Sequence, residues 1–463
     1  MENKSISVYL LLSLAIVVIS ILIPLEFSKS YSYYLFFFQL IFFYMYLYRY
    51  KKIFLYLTPI MLFIFYIDFS FTLGNYAMSH GHENIKSNYY AFLNWKNTNL
   101  ITSFILLLNL SLFILDIIFR KKYFEILENV EKIEIPNHII KFYLVFSMIL
   151  FFFFFFLPLN TNFLGGSGDL SYIPKAIAML SIIYILAYKR NKYRYLYYIL
   201  IIAIFALFSF SSKREAIFFI FPIFLIESLL NYMTLNIKII FVVVMTTIVL
   251  IIFILAMSIT RGYGGFESQN VFNSLFYINS YVNSDMFLTY FFKNIETSYT
   301  YYHSIQAMEY IINDSTLITY GSTFIKFLFI IIPSSISDIK PKSFIDIYTT
   351  YHDPSFRLLG GSWPPNLIAE IFWNFYYFGL IFVIILFYGI NIFFLKILTL
   401  IRSGNILYRP WILFIYILLL VFYRGGGLDI CIIYLIFSVF FSLLYRYVLI
   451  LIPYKSKGNN SYL

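Results

Sequence analysis

Four basic residues interrupt or end long hydrocarbon runs: Lys213 and Arg214 in "SFSSKREAIFFIF", Arg261 in "ITRGYGG" and Arg424 in "YRGGGLD". Arg261 and Arg424 adjoin glycines, which let other backbone or a ligand approach closely. Single arginines near a helix end snorkel to lipid headgroups. Three basic sites on one membrane face suit a further chemistry, because a guanidinium fork binds the oxygens of a phosphate or diphosphate in pairs. Glu215 can pair with Lys213 or Arg214 and orient it. A second constellation lies in "GGSWPPNLIAEIFWNFYYFGL", residues 360–380. Glu370 and Asn374 stand one helical turn apart and share a face, with Trp373 beside them. A carboxylate just inside a span needs a cation or a hydrogen-bond donor, and Arg214, Arg261 or Arg357 can supply it. A purely structural ion pair would use the same residues.

These positions acquire meaning from the elements that carry them. The chain has 463 residues, 61% hydrophobic and only 12% charged, where soluble domains carry about 25%. Apolar runs of about 20 residues recur from end to end, long enough for a ~30 Å hydrocarbon core. Runs such as "FVVVMTTIVLIIFILAM" lack the alternation of a barrel strand, so the expected fold class is all-α, a polytopic transmembrane helix bundle. The apolar runs predict about twelve spans, near 6–25, 31–48, 53–73, 100–119, 139–158, 171–188, 195–211, 216–230, 238–258, 367–395, 410–423 and 430–452. The first run is too long for a signal-peptide core and is read as a retained span.

Lysine and arginine in short loops set the orientation. "RYKK" at 49–52, "RKK" at 120–122, "KRNKYR" at 189–194 and the C-terminal "PYKSK" share the side of the N-terminus, which predicts both termini in the cytoplasm. Lys213, Arg214, Arg261 and Arg424 then fall on the external face. The expected organisation is a membrane part over 1–258, a large external subdomain over 259–366 and a second membrane part over 367–463. A structureless loop of such length would be unusual.

The formal charge of +11 is mostly this topological bias, so no nucleic-acid partner is implied. Cys431 is the single cysteine, which excludes an intramolecular disulfide framework and cysteine-based metal sites. "HGHE" at 80–83 offers ligand-type side chains without a third ligand group, so no metal site is expected. The 45 tyrosines and 57 phenylalanines, with "FFFFFF" at 151–156, fit an AT-rich coding bias.

Two stretches carry a family resemblance. "GGSWPPNLIAEIFWNFYYFGL" resembles the sequence entering a late span of bacterial O-antigen polymerases (Wzy-type oligosaccharide repeat-unit polymerases), through Gly361, Ser362, Glu370, Asn374, Phe375 and Gly379. "YGSTFIKFLFIIIPSSISDIKPKSF" resembles the same family's Tyr-Gly segment, apolar run, Pro and Lys-Pro, through Gly321, Pro333, Lys340 and Pro341. The resemblance covers roughly residues 205–430 and implies a GT-C-like membrane glycosyltransferase in the bacterial plasma (inner) membrane. It implies the reaction too. A glycan on undecaprenyl diphosphate is transferred to the sugar of the next lipid-linked repeat unit, which makes the lipid-linked oligosaccharide both donor and acceptor. Membrane lipids and a chain-length regulator protein are the other implied partners, and no fixed cofactor is expected.

That chemistry needs three parts. Cations must stabilise the leaving diphosphate, and Lys213, Arg214, Arg261, Arg424 and Arg357 are the candidates. A general base must take the acceptor hydroxyl's proton; "YHDPSFRLLGG" offers His352 and Asp353, and Glu370 follows. Stacking aromatics and polar groups must hold the sugars, for which Tyr299, Tyr302, His303, Glu309 and Asn374 are the expected set. A lone loop histidine is more often an ordinary hydrogen-bonded residue, and tyrosines collect at the headgroup boundary anyway. An O-antigen ligase differs only in its acceptor. A flippase or transporter of lipid-linked oligosaccharides would share the layout of spans but should place polar groups near the midplane.

Overall fold

The computed structural model describes residues 2–82, 92–130, 135–156, 171–208, 218–231, 271–285, 287–295, 297–329, 340–363, 365–425 and 427–451, with short pieces between 248 and 262. The described residues fold as helices without a strand: α1 (Glu2–Leu22), α2 (Leu25–Tyr48), α3 (Pro59–Ser79), α4 (Thr98–Asn129), α5 (Asn137–Phe156), α6 (Tyr172–Tyr188), α7 (Arg194–Phe208), α8 (Ile220–Leu230), α9 (Val271–Val282), α10 (Phe287–Asn294), α11 (Thr297–Asn313), α12 (Ser322–Ile325), α13 (Phe344–His352), α14 (Pro354–Leu358), α15 (Leu367–Phe375), α16 (Gly379–Ser403), α17 (Trp411–Tyr423) and α18 (Leu428–Leu451). Among them, five stretches are long and apolar enough to cross a membrane: Pro59–Ser79, Thr98–Asn129, Asn137–Phe156, Leu367–Ser403 and Leu428–Tyr447. Val8–Leu22, Tyr172–Tyr188, Ile220–Leu230 and Trp411–Tyr423 are apolar but shorter. The expected span 238–258 lies largely outside the described residues.

The described residues form two compact units. One comprises 1–121, 234–392 and 420–429; the other comprises 122–233, 393–419 and 430–463. In the first, α3 starts on a local signal: Pro59 occupies the first helical position, where its missing N–H costs nothing. Thr58 caps the helix by accepting from Met61 N, and its hydroxyl donates to Asp116 on α4 at 2.7 Å. Asp116 also receives Arg120 at 3.2 Å, one turn on, whose guanidinium lies over the Tyr46 ring. A buried carboxylate in an apolar helix is thus fully supported by neighbours.

The other end of α3 carries α11. The helices touch at Gly74, where any Cβ would overlap the Tyr301 side chain and crowd the Thr297 carbonyl. Asn75 ties three helices together: its amide donates to Lys29 O at 2.7 Å and Tyr301 OH at 2.8 Å, while its oxygen accepts from Tyr33 N at 3.2 Å. α11 also grips the start of α4. Glu309 accepts from Lys96 N, Asn97 N and Asn97 Nδ2 at 2.9–3.2 Å, and Trp95 Nε1 donates to Gln306 at 2.5 Å. The carboxylate completes the helix N-terminus, where backbone N–H groups lack internal partners.

The stretch expected as one span over 367–395 is interrupted. α15 ends at Phe375, and Tyr376 takes φ 52°, a conformation that L residues rarely adopt. The Asn374 amide donates back to Glu370 O at 2.8 Å. Asparagine's competition for backbone partners is a sufficient local reason for the stop.

In the second unit the polar contacts are of a different kind. Tyrosine hydroxyls donate to backbone carbonyls, Tyr143 to Leu407 O at 3.1 Å and Tyr184 to Ile401 O at 3.0 Å. Arg402 donates to Leu229 O at 2.8 Å. The buried Glu227 accepts from Arg194, Tyr198 and Asn231.

Candidate functional site

Residues 319–323 and the Glu370–Asn374 helix meet in space. Thr323, in the first turn of α12, donates to Glu370 Oε1 at 2.7 Å and accepts from Asn374 Nδ2 at 2.8 Å. Asn374 Oδ1 accepts from Thr319 Oγ1 at 2.8 Å, and Thr319 N donates to Trp373 O at 3.3 Å. Glu370 and Asn374 thus share a helix face, as their spacing dictates, and that face is docked on residues 319–323. Both side chains are buried.

Charge surrounds the carboxylate. Lys326, one turn beyond Thr323, pairs with Asp429 at 2.8 Å, and both act electrostatically on Glu370. The turn that follows Arg424 packs on the chain leading into α15. Gly425, at φ +95°, abuts Pro365 so tightly that a Cβ there would overlap its carbonyl oxygen. Pro365 leads directly into Asn366, which caps α15 by accepting from Ala369 N at 3.1 Å. The arginine-bearing turn therefore touches the entrance of the helix that holds Glu370. Arg424 also acts electrostatically on Tyr66 of α3.

A second cluster flanks α15. His303 on α11 and His352 at the end of α13 lie with ring centroids 5.4 Å apart. Each is tied to a tyrosine through Nδ1: His303 to Tyr348 OH and His352 to Tyr310 OH, both at 2.8 Å. Trp363 stacks on His303 at 4.6 Å, and Tyr299 stacks on Trp363 at 5.8 Å. Trp373 of α15 meets Tyr348 edge-on at 6.2 Å, linking this cluster to the carboxylate helix. Asn366 N donates to Ser304 Oγ on α11 at 3.0 Å, a second link.

Burial dominates the electrostatics here. It holds the His303 imidazole well below its usual pKa, with His352 adding to the effect. His352 is also lowered by burial, opposed by the nearby Asp353 carboxylate. Both rings are neutral at pH 7. Burial pushes the Tyr348 phenol up, so it remains a hydrogen-bonding phenol. Among the described residues, His303 Nε2 and Tyr302 OH are buried without a hydrogen-bond partner. A neutral histidine whose Nδ1–H donates to a tyrosine oxygen presents Nε2 as a base; with the tyrosine donating, Nε2 carries the hydrogen instead.

The remaining expected site residues have other surroundings. Asp353 caps α14, accepting from Phe356 N and Ser355 Oγ, and the Ser355 hydroxyl and Phe356 N–H hold its carboxyl below the usual range. Arg357 pairs with Asp346 at 2.5 Å and donates to Gly361 O. Glu309 is engaged with the start of α4, and Tyr302 stacks on Trp95 at 5.5 Å. Lys213, Arg214 and Arg261 lie outside the described residues. No group of three or more His, Cys, Asp or Glu among the described residues could hold a metal ion.

Sequence reasoning missed Thr323, Lys326 and Asp429. All three lie within stretches already singled out, Thr323 and Lys326 in "YGSTFIKF" and Asp429 in "YRGGGLD". It also missed Asp68 and Asn109, whose polar types within apolar runs were the available signal. No family model, curated protein or solved structure matches this chain.

Proposed function

We propose that the protein is a GT-C-like membrane glycosyltransferase of about twelve spans that polymerises oligosaccharide repeat units carried on undecaprenyl diphosphate. The acceptor hydroxyl oxygen attacks the anomeric carbon of the donor glycan. The bond from that carbon to the diphosphate oxygen breaks, and the diphosphate leaves with the electron pair. Its charge is taken up by cations at one membrane face, Arg424 among them, with Lys213, Arg214 and Arg261 as further contributors. The acceptor's proton passes to His352, neutral at pH 7 and half-buried beside Tyr310. Glu370 anchors the acceptor sugar through its second carboxylate oxygen.

The observation that carries this reading is the hydrogen-bonded union of residues 319–323 with Glu370 and Asn374, joined by the arginine-bearing turn at Pro365. The first two segments are the ones whose sequences resemble that family, and the third brings a basic residue from a separate part of the chain. The test is a reconstituted assay with purified protein and lipid diphosphate-linked repeat units, read as glycan length on a gel. Wild type should give a ladder, which Glu370→Gln and His352→Ala should abolish while remaining folded.

A transporter of the same lipid-linked units is the second reading, favoured by one observation. Gln39, Asp68 and Asn109 form a buried polar cluster in the middle of α2, α3 and α4, where a carrier would place it. Repeat units that cross a vesicle bilayer unextended would establish this reading in place of the first.

A further inference from the structure

Asp68 stands halfway along α3, fully buried, in a stretch apolar enough to span a membrane. Its Oδ1 accepts from Asn109 Nδ2 on α4 at 2.6 Å. Its Oδ2 has no partner among the described residues, and neither has Asn109 Oδ1. Carboxylate and amide thus meet with one idle acceptor each. Two acceptors cannot bond to one another; a positive charge or a shared hydrogen between them satisfies both. Asn109 is itself held by Gln39, whose amide donates to Ser13 Oγ at 3.0 Å and Leu106 O at 2.9 Å. The amide orientations are therefore fixed by neighbours on α1, α2 and α4.

Among the described residues, no basic side chain is paired with Asp68. Among the described ionisable groups, the Tyr44 phenol of α2 interacts with it. Asp116 and Arg120, two turns or more along α4 from Asn109, are committed to each other. An isolated ionised carboxylate at such depth is prohibitively costly.

Among the described residues, a seam of idle hydroxyls approaches the pair from one side. The pairs Thr58–Asp116 and Asp68–Asn109 show that α3 and α4 run antiparallel. In the direction away from Thr58 come Thr72 on α3 and then Thr102 and Thr98 on α4. The Oγ1 atoms of all three are buried and have no partner among the described residues. Helical hydroxyls normally bond back to their own helix, as Ser103 and Ser111 of α4 do here. In the opposite direction the next turn of α4 presents Phe113, stacked on Phe43 at 4.0 Å and edge-on to Tyr46. That end is closed by rings.

We propose that Asp68 and Asn109 form a binding site for a single positive charge, a sodium ion or a proton, entered along Thr98, Thr102 and Thr72. Carboxylate, amide and hydroxyl oxygens are the ligand set of hard cations. One carboxylate leaves the site neutral with a monovalent ion and charged with a divalent one, so the monovalent class fits. Closure at Phe113 makes this a bound charge supplied from one face rather than a conduit. The inference stands apart from the polymerase reading.

The test uses the full chain in detergent, following thermal unfolding as sodium chloride replaces choline chloride at constant ionic strength and pH. Infrared absorption of the same samples reads the carboxyl groups. If sodium fills the site, the unfolding midpoint climbs with sodium by mass action, and Asp68→Asn abolishes the response. If a proton fills it, sodium has no effect, and a carbonyl band of a protonated carboxyl disappears in Asp68→Asn. A protein with neither the sodium response nor that band overturns the proposal. Should Asp68→Asn not fold, Asn109→Leu decides. It must weaken the sodium response by about tenfold or shift the carboxyl band, and no change in either overturns the proposal.

Discussion

Glu227 and Asp68 are both buried carboxylates on apolar helices, supported in opposite ways. Glu227 receives Arg194 Nε at 2.8 Å, Tyr198 OH at 2.6 Å and Asn231 Nδ2 at 2.9 Å. Asp68 receives one amide hydrogen and has an oxygen to spare. Glu370 falls between them, with a hydroxyl on one oxygen and a lysine–aspartate pair nearby. A saturated carboxylate can do little except hold helices together. An unsaturated one keeps a bonding position for something that arrives later. The contrast separates framework from site without reference to any relative.

The sharpest way to break this contrast is to remove a saturating partner. Arg194→Met leaves Glu227 buried without its cation and should cost about 3–5 kcal/mol of stability in thermal or denaturant unfolding. A loss below about 1 kcal/mol would mean that Tyr198 and Asn231 suffice, and the contrast would fail. Next in size is the effect at an unsaturated position. Glu370→Gln keeps an acceptor for Thr323, so stability should change by less than about 1 kcal/mol while the proposed polymerising activity should drop by about 10²–10⁴-fold.

Acid should probe the histidine cluster. Both imidazoles are held below their unfolded pKa by burial, so protonation favours the unfolded chain. Their stabilising contribution is complete above about pH 6.5 and is lost as pH falls from there through the depressed folded values. Unfolding midpoints measured from pH 7.5 downward should fall more steeply for wild type than for His303→Phe. Smallest of all is the half-buried pair at the surface. Arg357→Ala removes the contact with Asp346 and should cost under about 1 kcal/mol, diminishing further with salt. A much larger loss would make Arg357 part of the framework.

The helical class was legible because hydrocarbon runs of spanning length leave few alternatives. Element ends were legible where a stop signal was local. Thr58-Pro59 marks the start of α3, yet the apolar run continues upstream through Ile53–Leu57, which forms a 3-10 turn, so hydropathy alone placed the span too early. The break at Tyr376 was hidden for the opposite reason, since "NFYYFGL" is apolar on both sides of it. The Glu370–Asn374 face followed from helical spacing. Its partner Thr323 did not, because contacts between distant segments leave no periodic trace. Arg357 shows the converse: its neighbours in sequence suggested a ligand site, while Asp346 on the preceding helix had already engaged it.

Glu309 also sets an order of assembly. Its carboxylate completes the start of α4 from 212 positions further along the chain. A ribosome adding about 5–20 residues per second needs on the order of 10–40 s to cover that distance. Throughout that interval α4 has been made but its first turn lacks the acceptor that finishes it. The corner at Trp95–Thr98 therefore closes late in biogenesis, only after α11 has been made and packs beside it.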